Sequence, residues 1–185
     1  MNRGSILKAA SAAALIPALS IAGIATAQPR TSMGNAAKKH ATETKRVGSL
    51  SLATSRIATS KASDPMVKEF AKWEVAEQET IADILTSAET GKAEGALNPP
   101  TERETEANLD AAGRTSLQKL QGLSGADFDK TYIAAQLDGH RQLLAIQEDY
   151  LKIGKNRAQL SITKLARGQI REHIDHLEML RSKLG

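Results

Sequence analysis

Apolar residues return along this chain with the 3.6-residue period of an amphipathic helix in four long segments, and no Val/Ile/Thr-rich alternation of useful length suggests a strand. The pattern predicts helices over about residues 34–61, 65–90, 125–153 and 156–183. In the first, Val47, Leu50, Thr54 and Ile57 form a weak inward line. Ala62-Ser63-Asp64-Pro65 should end that helix and start the next, because an Asp side chain accepts from free first-turn amides and Pro is tolerated at the first helical position. The second helix carries Val67, Phe70, Ala71, Ile81, Ile84, Leu85 and Ala88 on one stripe, and Gly91 stops it. The third presents Phe128, Ile133, Leu137, Leu144 and Leu151, after a capping-box-like start at Ser124-Gly-Ala-Asp127. The fourth presents Ile162, Ala166, Ile170, Leu177, Leu180 and Leu184.

Residues 91–124 separate the second and third helices. They begin with the breaker-rich GKAEGALNPP and continue, from Thr101 to Gln121, as one or two short helices that supply Leu109, Leu117 and Leu120. A connection this long is needed if the second and third helices run parallel, since the chain must travel back along the bundle. The expected fold is all-α, a four-helix bundle with a long helical crossover between helices two and three.

The N-terminal stretch carries Arg3 and Lys8, an apolar run from Ala9 to Ala25 without an acid, and Ala25-Thr26-Ala27 before Gln28. That is the layout of a secretory signal peptide, residues 1–27, cleaved near Ala27/Gln28; a retained membrane anchor is the weaker reading. The chain has no Cys, which excludes a lipid-attachment cysteine, a disulfide and a thiolate metal site. A periplasmic or secreted protein that is not a lipoprotein is expected, with residues 28–185 as one helical domain. Loss of Arg3 and Lys8 would take the formal charge from +4 to +2, so the high pI carries little weight. Lys38, Lys39, Lys45 and Arg46 cluster on the first helix, where they offer weak contact to an anionic surface or simply a solvated face; without aromatic interleaving, no specific nucleic-acid binding is expected.

Against this frame two residues stand out. His140 has Leu137 at i−3 and Leu144 at i+4, and His173 has Ile170 at i−3 and Leu177 at i+4, so both imidazoles point where packing would prefer Leu. A buried imidazole needs a partner for each ring nitrogen, and the pair therefore reads as a hydrogen-bonded core feature or as the start of a ligand site. Glu74, with Val67 at i−7 and Ile81 at i+7, falls near the middle of its stripe. Gln78 with its neighbour Glu77, Gln136, Gln147 and Gln169 extend this to a polar belt, and His176 flanks it, rotated about 60° from His173. Trp73 and Tyr150 look like packing residues at stripe edges. Counting about 1.5 Å per residue from the hairpins puts His140 and His173 in one layer and pairs Gln78 with Ser51, while His40 lies far from the belt.

Imidazole and carboxylate are ligands that a bundle offers to iron, manganese, zinc or copper. A bridged di-iron site would want acids where Gln136 and Gln169 stand, so a single transition-metal ion held by His140, His173 and Glu74 is the metal reading, and its identity is open. No nucleophile elbow, Walker loop, His-Glu-x-x-His or dinucleotide fingerprint occurs, so no common enzyme class has support and no catalytic residue is assigned.

From about Leu50 onward the chain resembles the DUF4142 family of exported bacterial proteins of unknown function. The resemblance is carried by Ala62-Ser63-Asp64-Pro65-x-Val67-Lys68-x-Phe70-Ala71, by Leu120-x-Gly122-Leu123-Ser124-Gly125-x-x-Phe128-Asp129-x-x-Tyr132, by His140, and by Arg171-Glu172-His173. It implies a ferritin-like arrangement of the bundle. It also implies a departure, because the family's Asp-His pair on the second helix aligns with Glu77-Gln78, and the acid often seen on its first helix aligns with Ser51. The residues favour a non-enzymatic binding or envelope accessory protein with a structural belt; the alternative is a metal-binding or metal-dependent redox protein using the inward histidines.

Overall fold

The computed structural model describes residues 34–92 and 95–185; the expected signal segment lies outside the described residues. The described residues form an all-α bundle with six helices: α1 (Asn35–Lys61), α2 (Pro65–Thr90), α3 (Glu102–Ala107), α4 (Ala111–Gln121), α5 (Gly125–Ile153) and α6 (Arg157–Leu184). No helix among them is long and apolar enough to cross a membrane.

The caps follow the local chemistry. Asp64 accepts from the amides of Met66 and Val67 and has Pro65 after it, which starts α2. Gly91 ends α2 at φ 68°, a left-handed conformation that costs a glycine little. Thr101 and Glu104 make a reciprocal capping box on α3, and Asp110 and Asn156 cap α4 and α6. The Ser124 side chain makes no cap bond on α5, against the sequence expectation.

Helix directions follow from the pairings. α1 meets α2 through Ser51–Glu74 and Lys45–Glu89, and meets α5 through His40–Gln147 and Ser55–Tyr132, so both neighbours run antiparallel to α1 and parallel to each other. α5 meets α6 through His140–His173 and Glu148–Arg167, again antiparallel. The crossover lies against α1, where Leu109 and Leu117 pack on Ala53.

α1 is consequently the central helix. Its apolar pattern is weak because it is enclosed by α2, α5 and the crossover rather than on one side, and Ser49, Ser51, Leu52, Ala53, Thr54 and Ser55 are all buried in succession. Small residues let three neighbours approach one helix. The expected inward residues Leu50 and Ile57 are half-buried, packed towards the crossover, while Leu52 takes the deeper position.

The main apolar core joins Val67, Phe70 and Ala71 of α2 to Phe128, Tyr132, Ile133 and Leu137 of α5 and Leu177 and Leu180 of α6. A second cluster, of Val47, Leu143, Ala166 and Ile170, lies further along the bundle. Trp73, expected to pack, is 49% exposed.

At the end of the first hairpin the buried carboxylate of Asp129 accepts from the Ser63 amide at 3.0 Å, the Asp64 amide at 2.8 Å and the Ser63 hydroxyl, clamping the α1–α2 turn to α5. Asp129→Ala should cost about 2–3 kcal/mol by leaving these donors unpaired, a fall of roughly 5–10 °C in Tm for a domain of this size. A thermal melt within a degree of the unaltered chain would show that the turn holds without the clamp.

Candidate metal centre

Two polar layers interrupt the apolar interior, and they differ in chemistry. The outer one is built on His40, which is buried against Tyr150 with ring centroids 4.3 Å apart. Its Nε2 donates to Gln147 Oε1 at 2.8 Å and its Nδ1 accepts from Gln159 Nε2 at 2.8 Å. Gln147 in turn donates to Thr44 at 3.1 Å. Both imidazole nitrogens are thus used by neutral amides. Burial pushes the His40 pKa down, against the hydrogen bond to Gln147 and the charge of Glu43, so the ring is neutral and structural.

The inner layer is built on Glu74, which has no exposed surface. One oxygen, Oε1, accepts from Ser51 Oγ at 2.5 Å and from Gln78 Nε2 at 2.9 Å. Ser51 also lies 2.6 Å from Gln136 Oε1, and its single proton serves the charged acceptor more strongly. Gln136 anchors to α1 by donating to Thr54 Oγ1 at 2.9 Å. The other carboxylate oxygen, Oε2, faces two imidazoles, with His173 Nδ1 at 2.9 Å and His140 Nε2 at 3.3 Å. Those two nitrogens are 3.2 Å apart.

Each ring is oriented from behind. A backbone carbonyl can only accept, so the 2.8 Å contact between His140 Nδ1 and Gln136 O places a proton on Nδ1 and turns Nε2 towards Glu74 and His173. His173 Nε2 lies 3.3 Å from Glu77 Oε2, which leaves Nδ1 as its inward atom. This is the outer-partner pattern that fixes metal-ligating histidines. Carboxylate Oε2, Nε2 and Nδ1 converge from α2, α5 and α6, on a triangle with sides of 2.9, 3.2 and 3.3 Å.

The triangle suits a first-row transition ion. Glu74 Oε2, His140 Nε2 and His173 Nδ1 would hold such an ion, which is bound at about 2.0–2.1 Å from nitrogen and oxygen donors. Phe70 packs against both imidazoles, its ring centroid 5.3 Å from that of His173 and 6.3 Å from that of His140. A void of about 30 Å³ bounded by His140, His173, Gln78, Thr44, Leu143 and Ile170 adjoins the imidazoles, room for one water-sized ligand.

The electrostatics favour charge here. Desolvation alone would raise the Glu74 pKa, but the charge and hydrogen bond of His140 and the hydrogen bond of His173 outweigh it and hold the carboxyl well below its usual range. Desolvation would lower the His173 pKa, and hydrogen bonds to Glu74 and Glu77 reverse this and push it up to about 10.

Of the other belt residues, Gln78 and Gln136 reach the centre through their amides and Glu77 stands behind His173. His176 is half-buried between Phe70 and Trp73, at 5.6 and 5.8 Å between ring centroids, and joins no ligand set. Gln169 departs from expectation: it is exposed and reaches only the rim of the void, because the inward line of α6 runs through Thr163, Ala166 and Ile170. On α1, Lys45 pairs with Glu89 at 2.5 Å, Arg46 with Asp110 at 2.8 Å and Lys39 with Glu43 at 3.8 Å, so much of the basic cluster is neutralised within the chain.

Compared with known proteins, the chain matches the family model DUF4142, described as a domain of unknown function, over residues 22–180. No curated protein and no solved structure matches it.

In the metal-free chain the Glu74–His173 pair stabilises the fold fully between the ordinary values of 4.5 and 6.5. Its contribution declines as pH rises through about 10 for His173, and as pH falls through the depressed value of Glu74. Between pH 7 and 10, chelator-treated protein should therefore lose more Tm than its His173→Gln variant; parallel Tm–pH curves would remove the charged pair.

Proposed function

The chain belongs to the DUF4142 family, and we propose that it is an exported helical-bundle protein that binds a single first-row transition-metal ion through Glu74, His140 and His173. The observation that carries this is the convergence of three donor atoms within 3.3 Å of one another, each held from behind by an outer hydrogen bond. Two imidazoles and one carboxylate form a borderline donor set, suited to iron, zinc, cobalt, manganese or copper rather than calcium or magnesium. The small void lined by His140 and His173 would give the ion room for a water or a small ligand beside its three protein donors, as reactive rather than closed structural sites have. No reaction is assigned to it.

A second reading has its own observation. With His173 protonated up to about 10, a proton can take the place of the metal, and the centre is then an ion pair that fixes helix register in a scaffold or envelope accessory protein. The two readings part on metal content. Protein purified without chelator should carry close to one transition-metal ion per chain. Treated with chelator and reloaded with Zn(II) or Co(II) at a hundredfold excess over Kd, it should gain about 2.7 kcal/mol. His140→Ala/His173→Ala should lose both effects, and Glu74→Gln should weaken binding at least tenfold. Absence of stoichiometric metal in the unaltered chain, with no Tm response to added ions, leaves only the ion-paired scaffold.

Export rests on Arg3, Lys8, the apolar run Ala9–Ala25 and Ala25-Thr26-Ala27. In a Gram-negative host the mature protein should begin at Gln28 and fractionate with the periplasm. An intact Met1 terminus in the cytoplasmic fraction would overturn that part.

A further inference from the structure

Beside the centre, α1, α2 and the segment around residues 98–101 enclose a cleft of about 360 Å³ that the metal reading does not use. An apolar cavity of about 150 Å³ holds a benzene molecule, so this cleft has room for a substituted ring. Its walls combine Leu52, Leu85 and Pro100 with the uncharged polar groups of Ser49, Asn108 and Gln78. The charges at its edge are engaged: Lys45 pairs with Glu89, and Glu104 holds the Thr101 cap. A lining of this kind suits a neutral molecule and disfavours an anion, which would lose its hydration beside the Glu104 carboxylate with Lys45 already paired.

The cleft and the small void over the imidazoles have Thr44, Gln78 and Ile81 in common, so these three side chains form the partition between them. Gln78 is the movable member. Its anchor is a single hydrogen bond to Glu74, and its amide oxygen lies over Gly48, where an added Cβ would stand only 2.6 Å away. Its side chain stands between the cleft and the void beside the imidazoles.

We propose that the cleft binds an uncharged, ring-sized molecule with hydrogen-bonding groups, and that Gln78 separates this ligand from the void beside the metal centre. The pocket stands on its own lining; its link to a metal rests on the reading above. The ligand's polar end replaces Gln78 as the neighbour of the centre when the amide swings aside.

Benzamide and benzoate share a shape and differ in charge, which makes them the probes. Titrated into chelator-treated full chain and followed by amide NMR, benzamide should shift Ser49, Ala82, Leu85 and Asn108 together, and benzoate should bind at least tenfold more weakly. Ala82→Trp, or Thr86→Trp should the first variant fail to fold, fills the cleft and should abolish these shifts. Scattered shifts, equal binding of the two probes, or binding unaffected by a folded Trp variant overturns the pocket. In Co(II)-loaded protein the metal should enhance relaxation of the benzamide ring protons, severalfold more in Gln78→Ala than in the unaltered chain. Equal enhancement in the two overturns the role of Gln78. A chain that takes up no Co(II) overturns the metal reading and the metal-facing role of Gln78 together, while the metal-free titration still decides the pocket.

Discussion

A carboxylate with no exposed surface sits at the middle of this bundle, and most of the interior is arranged around it. Removing such a group from water carries a penalty of several kcal/mol, even after relaxation, which only opposite charge and directed hydrogen bonds offset. Glu74 receives them from all four long helices: Ser51 from α1, Gln78 from α2 itself, His140 from α5 and His173 from α6. Because each of these donors must reach one carboxyl group, the axial registers of all four helices are tied at this level. The central helix then has to be slender there, and α1 supplies Gly48, Ser49, Ser51, Thr54 and Ser55 where a usual core helix would carry Leu or Ile.

That substitution of small polar residues for large apolar ones explains which parts of the fold could be read from the sequence. The all-α class was legible because the stripes of α2, α5 and α6 are marked by large side chains at helical spacing, and because Asp64-Pro65 and Gly91 have local chemistry that needs no tertiary context. The role of α1 was not. A helix enclosed by several neighbours has no single apolar face, so hydrophobic periodicity reads it as weakly amphipathic when it is in fact the most central element. The clamp by Asp129 was equally hidden, since nothing in the local sequence says that its carboxylate reaches back to the turn at Ser63 and Asp64.

The centre itself was partly legible. His140 and His173 stood out because imidazole among Leu and Ile at i±3 and i±4 is chemically out of place, and Glu74 for the same reason. What misaligned the first hairpin was the turn. Counting both arms from Asp64 pairs Ser51 with Gln78, whereas residues 62–64 belong to neither helix. Counted from Lys61 back and from Asp64 forward, Ser51 and Glu74 are equidistant, and they are the residues that touch. Gln169 was misplaced for a related reason: with small residues at Thr163 and Ala166, the centre of the α6 stripe is poorly defined near its start, and rotation by part of a turn carries the amide into solvent.

Stability alone does not account for the inner layer. A buried ionic cluster can often be replaced by well-packed apolar residues without loss, and register here has other guarantors in the Asp129 clamp, the Gln136–Thr54 contact and the His40–Gln147–Gln159 layer. The comparison between the two histidine layers isolates what is different. His40 gives both nitrogens to neutral amides, whereas His140 is held at Nδ1 by a backbone carbonyl so that its Nε2 meets a carboxylate oxygen and a second imidazole nitrogen. A carboxylate oxygen and two imidazole nitrogens within 3.3 Å of one another need positive charge among them. A proton on His173 meets that need for one pair of contacts; a metal ion would meet it for all three at once.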